Sequence, residues 1–457
     1  MKTMLIKCGW LVSLDDGVGD IQAGELLIQG DRIAAAGRNL GATADETLDA
    51  TGMIVMPGLV HAHIHTWQSG LRGIGGEWTS PDYHLNVHGN LSTRYGPEDN
   101  YLGNLVGALN QINGGVTTIL DWCHNLTSLE MAERSVDGLE EAGIRAVFAH
   151  GTAKPPTPPG GVPYTHIPHP RDRVEALRKG RFASNDQLLT LGLALLGPQY
   201  STWEVFEHDI RLAREFGLVS TSHATRRNAD AITSEGYIRL AKAGLLGPDH
   251  NIVHANYLSD EELTTAVHSG ASFSATVLTE MHGHAADPVT LRVRAAGGMP
   301  SLGIDIETVV TGEFWREMQA ALLHGRFASH RINAAAGNKP FTTIPVRSRE
   351  ALQWATLGGA RALMMEDKIG SLKPGKKADL VMLRMSDLNL VPVHDPVGSI
   401  VEQANAGNVD SVMIGGEFRK RGGELLYPEA QLSKRVAALA ESAARIMRDG
   451  GFTVTRA

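Results

Sequence analysis

Between residues 57 and 306, short apolar runs alternate with longer stretches of helical pattern. After an opening run at "MPGLVHAHIH" come "GGVTTILDW" (114–122), "GIRAVFAHG" (143–151), "LLTLGLALLG" (188–197) and "GLVSTSHA" (217–224). "NIVHAN" (251–256), "ASFSAT" (271–276) and "MPSLGIDI" (299–306) complete a set of eight. Near-continuous apolar strands separated by helices are the signature of a parallel sheet covered on both faces, and eight such units are the count of a (β/α)8 barrel. The intervening segments carry helix signals, such as the S-x-x-E capping box of Ser259 and Glu262 ahead of "LTTAVHSG".

The flanks read differently. "ELLIQGDRIAAAG" (25–37) is two apolar runs joined by a Gly-Asp turn, a hairpin signal. The β character returns in "IGSLKPGKKADLVMLR" (369–384) and "VDSVMIGGEFRKRGGELL" (409–426). The expected organisation is an α/β chain: a distorted (β/α)8 barrel over 57–368, inserted into a small β-sandwich built from 1–56 and 369–426. A C-terminal helix is expected in 427–457, with Leu432, Val436, Leu439, Ala443 and Ile446 on one face. The proline-rich stretch 154–170 is expected to be a long loop after the third barrel strand.

A net charge of −8 without a basic block gives nucleic acid and anionic membranes no footing, and no apolar run approaches a membrane span. Two cysteines exclude a disulfide framework and a cysteine-rich zinc site, and a cytoplasmic location follows as the expectation.

The opening barrel strand carries His61, His63 and His65 at every second position. Side chains two apart in a strand share a face, so three imidazoles stand in register there. Barrel enzymes place their chemistry at the C-terminal ends of strands. Read in order, those ends hold His63 and His65, then His223, His254 and Asp305. Several imidazoles and one carboxylate converging on one rim form a nitrogen/oxygen donor set suited to Zn²⁺ or Fe²⁺.

These segments resemble the amidohydrolase superfamily, in the branch of cytosine, guanine and S-adenosylhomocysteine deaminases and triazine hydrolases. The resemblance rests on "PGLVHAHIHTWQSGLRG", "GGVTTILDW", His223, "VHANYLSDEEL", "SLGID" and "IGSLKPGKKADLVML", and covers nearly the whole chain. It implies His63, His65, His223 and Asp305 as metal ligands, with Asp305 also the general base. His254 would orient substrate, and His61 would lie deeper in the barrel. Binuclear relatives carry a bridging lysine at the end of strand 4. "LLTLGLALLGPQYS" (188–201) has neither lysine nor glutamate, so one divalent metal per chain is expected, zinc first and ferrous iron second. A small-molecule substrate and a homo-oligomer, dimer or tetramer, complete what the resemblance implies.

The reaction expected is attack of metal-activated water on an sp² ring carbon of an N-heterocycle, with deamination the modal outcome. One departure stands against it. Relatives read H-x-x-E after strand 5, with the glutamate shuttling protons, whereas this chain reads "HATR" and places Arg226 there. A guanidinium cannot shuttle protons near neutrality, so Arg226 is a candidate to hold an anionic or carbonyl-bearing part of the substrate, or else a solvated residue. On the strand-7 segment, Glu280, His282 and His284 are candidate replacement acids or a solvated loop. Trp67 and Arg72 are candidates to shape the pocket, with a structural turn at "LRG" the other reading. Ring opening or loss of a non-amine leaving group is the alternative outcome. A catalytically silent barrel used for protein binding is the alternative of another class, and the presence of all four ligand positions argues against it.

Overall fold

The structure, a computed structural model, describes residues 2–453. Its centre is an eight-stranded parallel sheet in which each strand pairs with the next in chain order. The strands are β1 (Leu59–Ile64), β2 (Val116–Cys123), β3 (Arg145–Gly151), β4 (Leu189–Leu195), β5 (Val219–Ala224), β6 (His250–His254), β7 (Ser272–Ala275) and β8 (Ser301–Leu302). All eight apolar runs become barrel strands. Every residue of β2, β3 and β4 is buried, the consequence of a sheet with side chains packed inside and helices outside. Closure falls between the last strand and the first. Ile64 and Asp305 form a parallel bridge, in which Asp305 donates its amide to the His63 carbonyl at 3.1 Å and accepts the His65 amide at 3.0 Å.

The connecting helices begin and end where short polar residues and glycine allow. Ser128 caps the helix Leu129–Ala142 by accepting the Met131 amide, and Gly143 ends it at φ 72°. At Ser259 the expected capping box is only half formed. Its hydroxyl accepts the Glu262 amide at 3.1 Å, but the buried Glu262 carboxylate turns away and accepts the Tyr237 amide at 3.1 Å. An unsatisfied amide on the neighbouring helix competes for that carboxylate and wins.

Segments from both flanks of the barrel form one nine-stranded sheet, in which Leu380–Arg384 pairs antiparallel with Glu46–Pro57 and Thr3–Val12 lies parallel to Glu46–Pro57. The expected hairpin forms between Glu25–Gln29 and Arg32–Gly37. Period-two alternation splits the sheet's side chains. Ile6, Cys8, Leu26, Val55, Leu380 and Met413 gather in a core of their own, while Val12, Ile54, Met56 and Val381 join the barrel's core. A buried ion pair fastens the units together. Arg145, the first residue of β3, donates from Nε to Asp379 Oδ2 at 2.6 Å and from Nη2 to Oδ1 at 3.1 Å.

The C-terminal helix is Glu429–Asp449 and lies against the segment Thr66–Leu71 that follows β1, with Leu439 packed over Gly70. Of the expected apolar face, Leu439 and Ile446 are buried, whereas Val436 remains 47% exposed. Residues 454–457 of the expected 427–457 unit lie outside the described residues. After β3, the chain from 152 to 170 contains only one short 3-10 turn, Tyr164–His166. It is pinned by His169, whose Nε2 lies 2.8 Å from His150 Nδ1 and whose amide donates to Asp209 at 2.9 Å.

Candidate metal centre

The strand ends bring one nitrogen each from His63, His65 and His223, and an oxygen of Asp305, within 4.8 Å of one another. Oδ1 of Asp305 lies 3.1 Å from His63 Nε2 and 3.2 Å from His65 Nε2. His223 Nε2 stands 3.2 Å from His63 Nε2. His65 donates Nδ1–H to the Trp122 carbonyl at 2.8 Å, which fixes the tautomer and leaves the Nε2 lone pair facing the cluster. His61 lies below. Its Nε2 accepts the Ile304 amide at 3.2 Å, and its ring stacks on Phe314.

The electrostatics favour a cation here. Burial pushes the His63 pKa down to about 3 and that of His223 well below its usual value, so both are neutral donors at physiological pH. Burial alone would raise Asp305, but the close approach of the His63 and His65 rings and the charge of His254 outweigh it and hold the carboxyl well below its usual range. Two imidazole nitrogens and a carboxylate oxygen at these separations are satisfied together by one divalent cation. A single shared proton satisfies only one pair. The donor set fits zinc or ferrous iron.

The backbone is bent to place these groups. Asp305 and His254 adopt φ of 69° and 70°, in the left-handed region that non-glycine residues rarely enter, and Ala255 follows at 58°. Neighbouring hydrogen bonds hold the strained turns, such as that from the Ala255 amide to the Ala224 carbonyl at 3.0 Å.

His254 connects the cluster to a second carboxylate. Its Nε2 lies 3.9 Å from Asp305 Oδ2, and its Nδ1 lies 3.2 Å from Glu280 Oε1 and 3.0 Å from Thr276 Oγ1. Burial opposes protonation of His254, but the Glu280 hydrogen bond and the charges of Asp305 and Glu280 prevail and raise its pKa. Glu280 is fully buried and also accepts the Thr276 amide at 2.8 Å and an Asn256 Nδ2–H at 3.2 Å. It belongs neither to a solvated loop nor to the pocket wall. The helix that carries it, Val277–Gly283, is held at its start by the buried Glu317, which accepts the Val277 and Leu278 amides.

Above the cluster opens a pocket. Trp78, Tyr83 and Tyr200 supply aromatic wall, and His84, His88, His124, His282, His284 and Lys154 supply the polar lining. His282 and His284 thus reach the pocket; their ring nitrogens lie 2.9 Å from the Trp78 carbonyl and 2.8 Å from Asn256 Oδ1.

Three expected pocket residues sit elsewhere. Trp67 is buried behind the wall and donates its indole N–H to His124 Nδ1 at 3.2 Å. Arg72 points away and pairs with the buried Glu307 at 2.9 Å. Arg226 stacks its guanidinium on the Tyr200 ring, 4.2 Å from the centroid, with its amide bound to Gln199 Oε1 at 2.7 Å. It supports the wall from behind.

Sequence reasoning missed Tyr83, His84, His88, His124, Lys154 and Tyr200 as pocket residues. His124 was within reach, because it follows the end of β2 directly. The others stand on loops and short helical turns with no periodic signal.

A closed parallel barrel whose rim gathers three imidazoles and a carboxylate beneath a pocket defines a class, the metal-dependent barrel hydrolases. Within it, the chain belongs to the amidohydrolase family, whose sequence model matches residues 54–419. It is 25% identical over 424 residues to a 5'-deoxyadenosine deaminase of Methanosarcina barkeri, covering 91% of this chain and 92% of that protein. Its fold matches the crystal structure of an adenosine deaminase from Xanthomonas campestris with bound zinc, at TM-score 0.80 and 21% identity over 97% of this chain and 98% of that one. It also matches atrazine chlorohydrolase from Arthrobacter aurescens TC1 complexed with zinc, at TM-score 0.81 and 19% identity over 96% and 100% of the two chains. Among the described residues, no helix is long and apolar enough to cross a membrane.

Proposed function

We propose that this protein is a metal-dependent hydrolase that removes an amino group from an N-heterocyclic small molecule, using one zinc ion held by His63, His65, His223 and Asp305. The observation that carries the reading is the junction of that four-donor cluster with the Asp305–His254–Glu280 chain at the floor of an aromatic-walled pocket. The names of the adenosine-type deaminases among the relatives support this chemistry, and that of the triazine chlorohydrolase supports hydrolytic displacement on an N-heterocycle more broadly. β4 offers no lysine or glutamate to bridge a second ion, which supports a count of one.

A divalent cation bound there supplies Lewis acidity and lowers the pKa of a water towards ~7. Asp305, ionised and aimed at the cluster, takes the proton of the attacking water. His254, kept protonatable by Glu280, donates a hydrogen bond to the substrate atom that gains charge at the attacked carbon. Trp78, Tyr83 and Tyr200 offer flat apolar surface to a heterocycle.

A second reading has its own observation. Arg226 occupies the H-x-x-E position and stacks behind Tyr200, so among the described residues Asp305 is the one carboxylate lining the pocket. A leaving group that departs without protonation, or hydrolytic ring opening, suits that arrangement. The test is a screen of zinc-loaded protein against aminopurines, pterins, aminopyrimidines and triazines. Ammonia release supports deamination. Ring-opened or dechlorinated product by mass, without ammonia, replaces it with the second reading.

A further inference from the structure

Lys154 reaches the pocket from the proline-rich loop after β3 and lines the same wall as Tyr200 and His84. Its Nζ lies 5.6 Å from the centre of the Tyr200 ring, on which the Arg226 guanidinium also stacks. No carboxylate of the described residues pairs with it. Among the charged groups that act on it, Arg226 repels its charge and only the distant Asp305 favours it. The imidazoles around it, those of His84, His88, His124 and His223, are held neutral by burial, and the Lys154 charge pushes each further down. Among the described residues, the pocket lining therefore holds one lysine and one carboxylate, and that carboxylate is already engaged by His63 and His65.

Lys154 is half-buried, and a partly desolvated ammonium without a counter-ion is costly, so proteins keep such a group where a ligand supplies the charge. A divalent cation at the cluster leaves the floor net positive after Asp305, so the whole cavity favours an anion. We infer that Lys154 is a specificity-determining residue that pairs with an anionic substituent, a carboxylate or an ionised ring oxygen, on the heterocyclic substrate. This rests on the reading of the pocket as the substrate site. It reassigns to Lys154 the anion-holding role that the sequence suggested for Arg226. Arg226 contributes indirectly, by fixing Tyr200 and by raising the local positive potential.

The test uses zinc-loaded, full-length protein and two matched probe pairs: 4-aminopyrimidine-5-carboxylate with its 5-carboxamide, and 9-(carboxymethyl)adenine with its amide. Calorimetry is expected to show the carboxylate binding at least about tenfold tighter in one pair or both, with the preference weakening as salt rises. Lys154→Met should abolish the preference and Lys154→Arg should retain most of it, with zinc content and circular dichroism unchanged. Equal or tighter binding of the neutral member in both pairs overturns the inference. So does a preference that survives in Lys154→Met, or failure of all four probes to bind. Ammonia release reports on deamination separately. A carboxylate preference without ammonia from any probe keeps the anion site and removes the deaminase reading, while ammonia from the neutral members alone does the reverse.

Discussion

Asp305 and His63 are joined twice, once through the backbone and once through their side chains. The Asp305 amide donates to the His63 carbonyl at 3.1 Å, and Asp305 Oδ1 lies 3.1 Å from His63 Nε2. The first contact closes the barrel between its last and first strands, and the second begins the donor cluster. Closure of the fold and the donor cluster thus share the same two residues. The left-handed backbone of Asp305 is the local cost of achieving both.

That coupling makes metal content a direct readout of the cluster. Purified protein should carry close to one zinc or iron per chain by inductively coupled plasma mass spectrometry. His63→Ala or His223→Ala should empty the site and leave the far-ultraviolet circular dichroism near that of the parent. A content near two, or full occupancy in both variants, would falsify the single-ion assignment.

Asp305→Asn keeps an oxygen donor in place but removes the proton acceptor. Some metal should remain while kcat falls by roughly 10²–10⁴-fold, the usual contribution of a general base. Normal turnover in this variant would place the base elsewhere.

Glu280 reaches the chemistry through His254, and kinetics can expose that dependence. Glu280→Gln and His254→Asn should each lower kcat with metal content near one. The double variant should lose little more than the worse single one, because residues that act as a unit are non-additive. Strictly additive losses in log kcat would mean that Glu280 acts on the substrate by another route.

Much of this site was legible because strand ends carry fixed positional meaning. His63, His223 and His254 stand in the last two residues of their barrel strands, His65 directly follows one and Asp305 lies three residues past β8, while period-two alternation placed His61 beneath them. What failed to show was side-chain direction in segments without a period. Arg226, two residues past β5, could face either way, and the Tyr200 ring drew it behind the wall. Glu280 looked like a loop acid because nothing in "TVLTEMHGH" reveals that His254, Thr276 and Asn256 converge on its carboxylate. Lys154 escaped notice because the path of a proline-rich loop depends on a tertiary anchor, the His150–His169 contact.

The sheet built from both chain ends should depend on Arg145 and Asp379. The two side chains are 6% and 2% exposed and share a two-pronged ion pair, and Asp379 also accepts the Gly415 amide at 2.7 Å. Removing one partner leaves a buried charge uncompensated, which costs about 3–5 kcal/mol. Asp379→Ala should therefore lower the denaturation midpoint substantially, whereas the double variant Arg145→Met/Asp379→Leu should recover much of the loss. A single variant as stable as the parent would show that the pair contributes nothing net.

The Lys154 charge carries a pH signature whose sign is fixed by its surroundings. Burial lowers its pKa from the ordinary lysine value to about 8, with Arg226 pushing the same way and Asp305 partly opposing. The ammonium is present below that value and lost above it. An anionic ligand should therefore bind more weakly as pH rises through about 8. The matched neutral amide should show no such decline, because it gains nothing from the charge. Burial holds the facing imidazoles of His84, His88, His124 and His223 below their usual range, while His254, whose pKa is raised, also lines the pocket. The His254 contribution is common to the parent and Lys154→Arg, so the difference between the two curves belongs to the ammonium. Arg226 stays protonated throughout and sets only the baseline. Calorimetric titrations of the 9-(carboxymethyl)adenine pair at fixed ionic strength measure both curves. In Lys154→Arg the decline should move beyond pH 9, out of the working range, while affinity at pH 7 is largely kept. Parallel curves for acid and amide in the parent protein would show that the ammonium does not contact the anion.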